Sequence, residues 1–199
     1  VSKWKQEYEE IKLASKKKSE YEADNSGTTV EDESASKKKI KSVLNRRRHL
    51  ILLAMNQTGL QNIFKMISRS YSGDNFYRYP RVDYAMLDKY SEGIIAASAC
   101  LGGPYAGNYW ANREEGPEAV REAMRETTRQ FVKIFGDRRH GELQWNGIPE
   151  QHELNQYIIE MHHEFGIPLI STADSHYPNP DAWKDRELYK RLGWLGKGK

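Results

Sequence analysis

With 199 residues, 38% of them hydrophobic and 30% charged, the chain is long enough for one domain and polar enough to leave part of itself outside a core. Residues 1–48 carry 13 Lys and Arg against 9 Asp and Glu, a balance of +4, so the net charge of +3 leaves −1 for the rest. By that balance a strongly basic duplex-binding surface is not evident in residues 49–199, and the single cysteine, Cys100, excludes an internal disulfide framework.

Residues 1–45 combine blocks of like charge with a Ser/Thr/Gly/Asn-rich middle and few large aliphatics. Such a segment buries too little apolar area to offset its ordering entropy, so a flexible, exposed insertion or tail is expected. No run approaches the ~18 apolar residues of a membrane span. No signal-peptide core is present, because Lys and Glu recur every few residues near the N-terminus. The expectation is a soluble, cytoplasmic protein with no membrane partner, and Val1 in place of an initiating Met suggests a processed or trimmed chain.

From residue 46 a second pattern begins. "HLILLAM" (49–55) reads as a strand, and "GLQNIFKMISRSY" (59–71) sets Leu60, Ile63, Phe64 and Ile67 on one helical face. After a short helical pattern, "YAMLDKYS", "GIIAASA" (93–99) is a second strand. Residues 117–135 place Val120, Ala123, Met124, Thr127, Phe131 and Ile134 along one stripe, with Pro117 at the helix start and Gly136 at its stop. "GELQW" (141–145) is a third strand. Residues 150–166 form a helix with Leu154, Tyr157, Ile158, Met161 and Phe165 inward. "IPLISTA" (167–173) is the fourth strand, and residues 180–195 end in a helix.

Strands separated by helices imply parallel pairing with right-handed crossovers, an α/β fold. Their near-continuous apolar character implies strands covered on both faces. Four βα units are too few for a closed eight-stranded barrel.

The chemistry concentrates after the last strand. Asp174 and His176 are two residues apart and project to the same side, at the strand end where α/β folds place their sites. A carboxylate beside an imidazole suits Zn²⁺ or Mn²⁺, yet alone the pattern is a weak signal, and a polar strand end whose Asp174 caps the next turn is the commoner reading. His49 opens the first strand, either as a ligand or as a boundary histidine bonded to backbone. Cys100 follows the second strand, either as a ligand or as a small buried hydrophobe. His140, His152, His162 and His163 read as structural or solvent-facing. No phosphate loop, dinucleotide fingerprint or Cys-x-x-Cys pair occurs.

Three stretches together are distinctive: "RRRHLILLAMNQTGLQNIFKMISRSY", "RVDYAMLDKYSEGIIAASACLGG" and "FGDRRHGELQWNGIPEQHELNQYIIEMHHEFGIPLISTADSHYPNPDA". In order and spacing they resemble the polymerase-and-histidinol-phosphatase (PHP) domain of bacterial replicative DNA polymerase III alpha subunits, over about residues 45–185. The resemblance implies part of a distorted (β/α)7 barrel whose clustered divalent metals, Zn or Mn and also Mg, are held by His, Asp, Glu and Cys ligands. His49, Cys100, Asp174 and His176 match the family's later ligand positions. The family's early motifs, an H-x-H, an Asp-His pair and a strand-terminal Glu, have no counterpart. Residues 46–199 are therefore expected to form the later two-thirds of such a domain, partnered by the missing N-terminal segment and by a polymerase core.

The implied function is a metal-dependent phosphoesterase or 3′–5′ exonuclease site within a DNA replication polymerase. A non-catalytic module bracing the polymerase and a free-standing phosphatase are the alternatives. Arg46, Arg47 and Arg48 either contact a DNA backbone or form a solvated charge run. The family's "FYLEL" strand reads "RHGEL" here, which implies a looser edge at His140 and Gly141.

Overall fold

The computed structural model describes residues 47–77 and 79–195, together with the helical positions Gln6, Glu9, Glu10 and Leu13. Arg46, and the expected flexible segment 1–45 apart from those four positions, lie outside the described residues.

In chain order the elements are β1 (Ile51–Ala54), α1 (Gln57–Ser70), β2 (Phe76–Tyr77), β3 (Tyr79–Pro80), α2 (Tyr84–Tyr90), β4 (Ile94–Ala97), α3 (Pro104–Asn112), α4 (Pro117–Phe135), β5 (Arg139–Gln144), α5 (Pro149–Phe165), β6 (Leu169–Thr172) and α6 (Trp183–Leu195). Among the described residues the main sheet has the order β1-β4-β5-β6, and β2 with β3 forms a separate small hairpin. No described helix is long and apolar enough to cross a membrane.

β4, β5 and β6 run parallel, as the alternation of strands and helices implies. β1 does not. Ile51 pairs with Ala97 and Ala54 with Ile94, so β1 runs antiparallel to β4 and the expectation of four parallel strands is corrected. The chain between them, through α1, the hairpin and α2, re-enters the sheet at the end where β1 finishes. Nor are all strands covered on both faces. β4 and β5 are largely buried, whereas Ile51 and Leu53 of the edge strand β1 are exposed.

α1 packs on a seam unlike its apolar stripe. Gly59, Asn62, Met66 and Ser70 are buried, while Leu60, Phe64 and Ile67 face outward. The reason is close backbone contact. Asn56 caps the helix by accepting a hydrogen bond from the Gly59 N–H at 2.9 Å, and a β-carbon on Gly59 would lie 1.9 Å from the Gly93 carbonyl. Asn62 then donates to the Glu92 carbonyl at 3.1 Å. Only a helix with no side chain at position 59 can approach β4 this way.

α4 buries Val120, Met124, Thr127, Phe131 and Ile134, as its spacing implies. α5 buries Leu154, Ile158 and Met161 but also the polar Gln151 and Asn155. α3 is not among the helices expected from the sequence. Gly103 and Pro104 start it, and Tyr105, Ala106 and Tyr109 join α4 and α5 in one core cluster. A second cluster joins α1, α2, β4 and α4 through Met66, Leu87, Ile94 and Phe131.

The expected loosening at His140 and Gly141 is also corrected. β5 pairs on both sides, and at Gly141 a β-carbon would meet the Ile158 side chain at 2.7 Å. The missing side chain admits α5 to the sheet rather than leaving a gap. Arg139 is buried at the foot of β5, where its guanidinium donates to the Gly136 carbonyl and, at 2.9 Å, to the Phe165 carbonyl. It thereby satisfies the C-terminal ends of α4 and α5 together.

The Tyr105 hydroxyl lies 2.7 Å from Thr128 Oγ1 in the core. Burial, partly opposed by that hydrogen bond, pushes its pKa from 10.0 up to about 12. The fold thus favours the neutral phenol, and the stability it contributes is intact below the unfolded value of 10.0 and lost as pH rises through about 12. Urea melts across that window should show Tyr105→Phe with a shallower loss than the parent, although Tyr84 and Tyr109, also raised, keep some slope. At neutral pH the variant should lose about 1 kcal/mol, the usual worth of one buried hydrogen bond.

Candidate metal centre

The antiparallel course of β1 decides what meets at the end of the sheet. Residue 49 lies two before Ile51, which pairs with Ala97, the last residue of β4. His49 therefore begins β1 where β4 finishes, and its backbone N–H donates to the Gly102 carbonyl at 2.8 Å. Its ring Nδ1 comes to 3.7 Å from Cys100 Sγ. The Gly102 N–H points at the same sulfur from 3.5 Å, and a β-carbon on Gly102 would stand 2.9 Å from the imidazole. Gly102 thus leaves the ring its place.

One tetrahedral ion bound by a thiolate at ~2.3 Å and an imidazole at ~2.0 Å holds the two donors about 3.5 Å apart. The observed 3.7 Å fits that bite, so His49 and Cys100 suit a shared Zn²⁺ or similar ion. Two donors do not complete a site. Among the described residues no group of three or more His, Cys, Asp and Glu converges to hold a metal.

Asp174 and His176 follow β6, which runs parallel to β4 and β5, so they also leave the sheet at this end. Both are exposed. The His176 ring folds back on its own turn, with Nδ1 2.6 Å from the Asp174 carbonyl. A carbonyl oxygen only accepts, so Nδ1 is the donor and Nε2 is the ring nitrogen turned away from this bond. The strand ends are staggered. Ala97 pairs with His140 and Thr172 with Gln144, so β6 reaches four residues further along β5, about 13 Å at strand rise.

Between the two turns lies a buried polar cluster that sequence reading missed. Glu142, 2% exposed, accepts from the Ala99 N–H at 3.2 Å through Oε2. Through Oε1 it accepts from the Thr172 hydroxyl at 2.5 Å and from Gln144 Nε2 at 3.2 Å. The Glu142 N–H in turn donates to Ser98 Oγ at 2.8 Å. The signal in the sequence was the alternation Glu142-Leu143-Gln144, which puts an acid and an amide on the face of β5 opposite Leu143.

Two non-glycine residues among those described have positive φ, Ala99 at 58° and Asp174 at 49°. One precedes Cys100 and the other is itself a candidate ligand. Asp tolerates the left-handed region, whereas alanine there costs about 1–2 kcal/mol.

Of the other sequence candidates, Arg47 stacks its guanidinium 3.7 Å from the centre of the Tyr79 ring. Arg48 lies against the backbone of Gly107 in α3 and donates to the Arg47 carbonyl at 3.1 Å. His162 places Nδ1 2.6 Å from the Ile167 carbonyl and joins the end of α5 to the approach to β6, which is a structural role.

A mixed four-stranded sheet with helices, and ligand-type residues following β4 and β6, is consistent with a PHP-type α/β fold. The PHP domain family matches residues 8–144, and the chain belongs to that family. His49 and Cys100 lie inside the matched span, Asp174 and His176 beyond it. The chain is 42% identical over 133 residues to the DNA polymerase III subunit alpha of Aquifex aeolicus (strain VF5), covering 67% of the chain and 11% of that protein. It is 43% identical over 145 residues to that of Borreliella burgdorferi, covering 73% and 12%, and 36% identical over 140 residues to that of Thermus aquaticus, covering 70% and 11%. The chain therefore spans roughly a tenth of the length of these relatives.

Replacing Ala99 by glycine should relieve the backbone strain beside Cys100 and raise stability by about 1 kcal/mol. A chemical-denaturation midpoint that fails to rise would mean that position 99 is unstrained.

Proposed function

We propose that this chain is the metal-binding part of a PHP domain in a DNA-replication polymerase, and that it serves metal-dependent phosphoester hydrolysis such as 3′–5′ removal of nucleotides. The observation that carries the reading is the His49–Cys100 pair, spaced to share one ion at the same end of the sheet that Asp174 and His176 leave after β6. In it His49 and Cys100 hold one ion, Asp174 offers a hard oxygen donor, and His176 offers Nε2. Zn²⁺ or Mn²⁺ bound there would supply an activated water and neutralise phosphate charge. The Gly102 N–H is aimed at the Cys100 sulfur. None of these side chains is asked to transfer a proton. Arg47 and Arg48, already placed against Tyr79 and Gly107, are weaker candidates for a nucleic-acid backbone. The polymerase core and DNA are the partners proposed with this function.

A second reading, a module that braces a polymerase, is favoured by the exposed apolar surface of α6, where Trp183, Leu188, Tyr189 and Leu192 lie open. The two are compatible. Residues 1–45 are proposed as an exposed extension beside residues 46–199.

The test is metal content after dialysis, measured with release of nucleotides from 3′-labelled single-stranded DNA. Cys100→Ala and Asp174→Ala should each lower metal occupancy at least tenfold and hydrolysis in proportion, while circular dichroism stays unchanged. Metal content and hydrolysis indifferent to both substitutions would contradict the site; metal retained without hydrolysis would favour the bracing role.

A further inference from the structure

We infer that Glu142 is a positioning residue whose carboxylate clamps the Cys100 turn to the Asp174 turn. The inference rests on the metal-site reading for its purpose, but the clamp itself stands on geometry in the protein alone. Glu142 is buried in the middle strand of the parallel three, between the two strands whose ends carry the candidate ligands. Its two oxygens are divided between those strands. Oε2 takes the N–H of Ala99, the residue before Cys100, and Oε1 takes the hydroxyl of Thr172, two before Asp174. Its own N–H is anchored to Ser98 Oγ, so the clamp cannot slide along β4.

Both turns that it ties contain a residue at positive φ, and at Ala99, unlike Asp174, that conformation is one the residue does not adopt freely. Strained conformations persist only where the surroundings over-determine them. At Ala99 the over-determining contact is the Glu142 carboxylate. The stagger between Ala97 and Thr172 also explains why a side chain is needed there. Direct ladder hydrogen bonds cannot join strand ends separated by β5, whereas one carboxylate reaches both sides. The cluster offers Glu142 donors on both oxygens, from an amide N–H, a hydroxyl and the Gln144 side chain, so an apolar side chain at 142 would strand the Ala99 N–H.

Glutamine can still accept from Ala99 through Oε1. Its NH₂ can face Thr172, whose hydroxyl rotates, and Gln144, whose Oε1 has no hydrogen-bond partner. Glu142→Gln is therefore the conservative rescue and Glu142→Met the disruptive variant. Leu143→Ala, one residue along on the opposite face, controls for general destabilisation. The readouts need no metal: alkylation rate of Cys100 by iodoacetamide, and hydrogen exchange at the Ala99 amide. Glu142→Met should raise both at least tenfold at a denaturant-free temperature well below melting, Glu142→Gln less than threefold, and Leu143→Ala less than threefold. Equal acceleration by Leu143→Ala, or none by Glu142→Met, would overturn the clamp. If Glu142→Met cannot be folded, Thr172→Val, which deletes only the hydroxyl on the Asp174 side, replaces it. It should speed exchange of the amides around Asp174 with little change at Cys100, and uniform behaviour of the two turns would overturn the clamp. A Co²⁺ titration separates this from the metal reading. Loss of the thiolate–cobalt absorption in Glu142→Met but not Glu142→Gln supports both. No such absorption in the parent chain, with the loosening still seen, removes the metal site and leaves the clamp standing.

Discussion

The antiparallel pairing of β1 with β4 is the constraint from which the rest follows. A histidine that opens a strand and a cysteine that follows one lie at opposite ends of a parallel pair. Reversing β1 brings them to the same end, and the Ile51–Ala97 register sets His49 against the loop that carries Cys100. The His49 N–H to Gly102 carbonyl hydrogen bond then fixes the backbone, and the small residue at 102 leaves room for the imidazole. The 3.7 Å approach of nitrogen to sulfur is a consequence of strand direction before it is a property of either side chain.

The second layer of organisation is polar and buried. β5 presents Leu143 to α5 and, on its other face, Glu142 and Gln144, which are 2% exposed each. Burying a carboxylate is costly unless its oxygens are met by donors, and here they are. The helices behind the sheet hold this strand in place through contacts that need little side chain. Gly141 admits Ile158, and Arg139 joins the ends of α4 and α5 through carbonyls. The turns above the sheet are thus shaped from below, by the strand between them.

Much of the fold was legible because it follows hydrophobic periodicity. α4 and α5 appear within a residue or so of their expected limits, and the stripe Val120, Met124, Thr127, Phe131, Ile134 is the buried one. Strand direction was not legible, since periodicity reports which residues are covered and says nothing of which way a strand runs. α1 misled for a related reason: its apolar stripe is exposed, and a glycine–glycine backbone contact that no hydropathy pattern encodes sets its packing face. α3 was hidden by its own start, Gly-Gly-Pro, which reads as a loop until Tyr105 and Tyr109 are seen in the core. At the site, the ligand candidates carried visible chemistry, but Glu142 did not, because an isolated Glu in a strand acquires meaning only from the neighbours that folding supplies.

The proposed metal centre stands or falls on sulfur. Zinc K-edge X-ray absorption of the zinc-loaded protein reads the first coordination shell directly. One sulfur scatterer at about 2.3 Å, with nitrogen or oxygen scatterers at about 2.0 Å, is the expected result. A shell of nitrogen and oxygen alone, unchanged in Cys100→Ser, would contradict the assignment of the His49–Cys100 pair as the place where the metal binds.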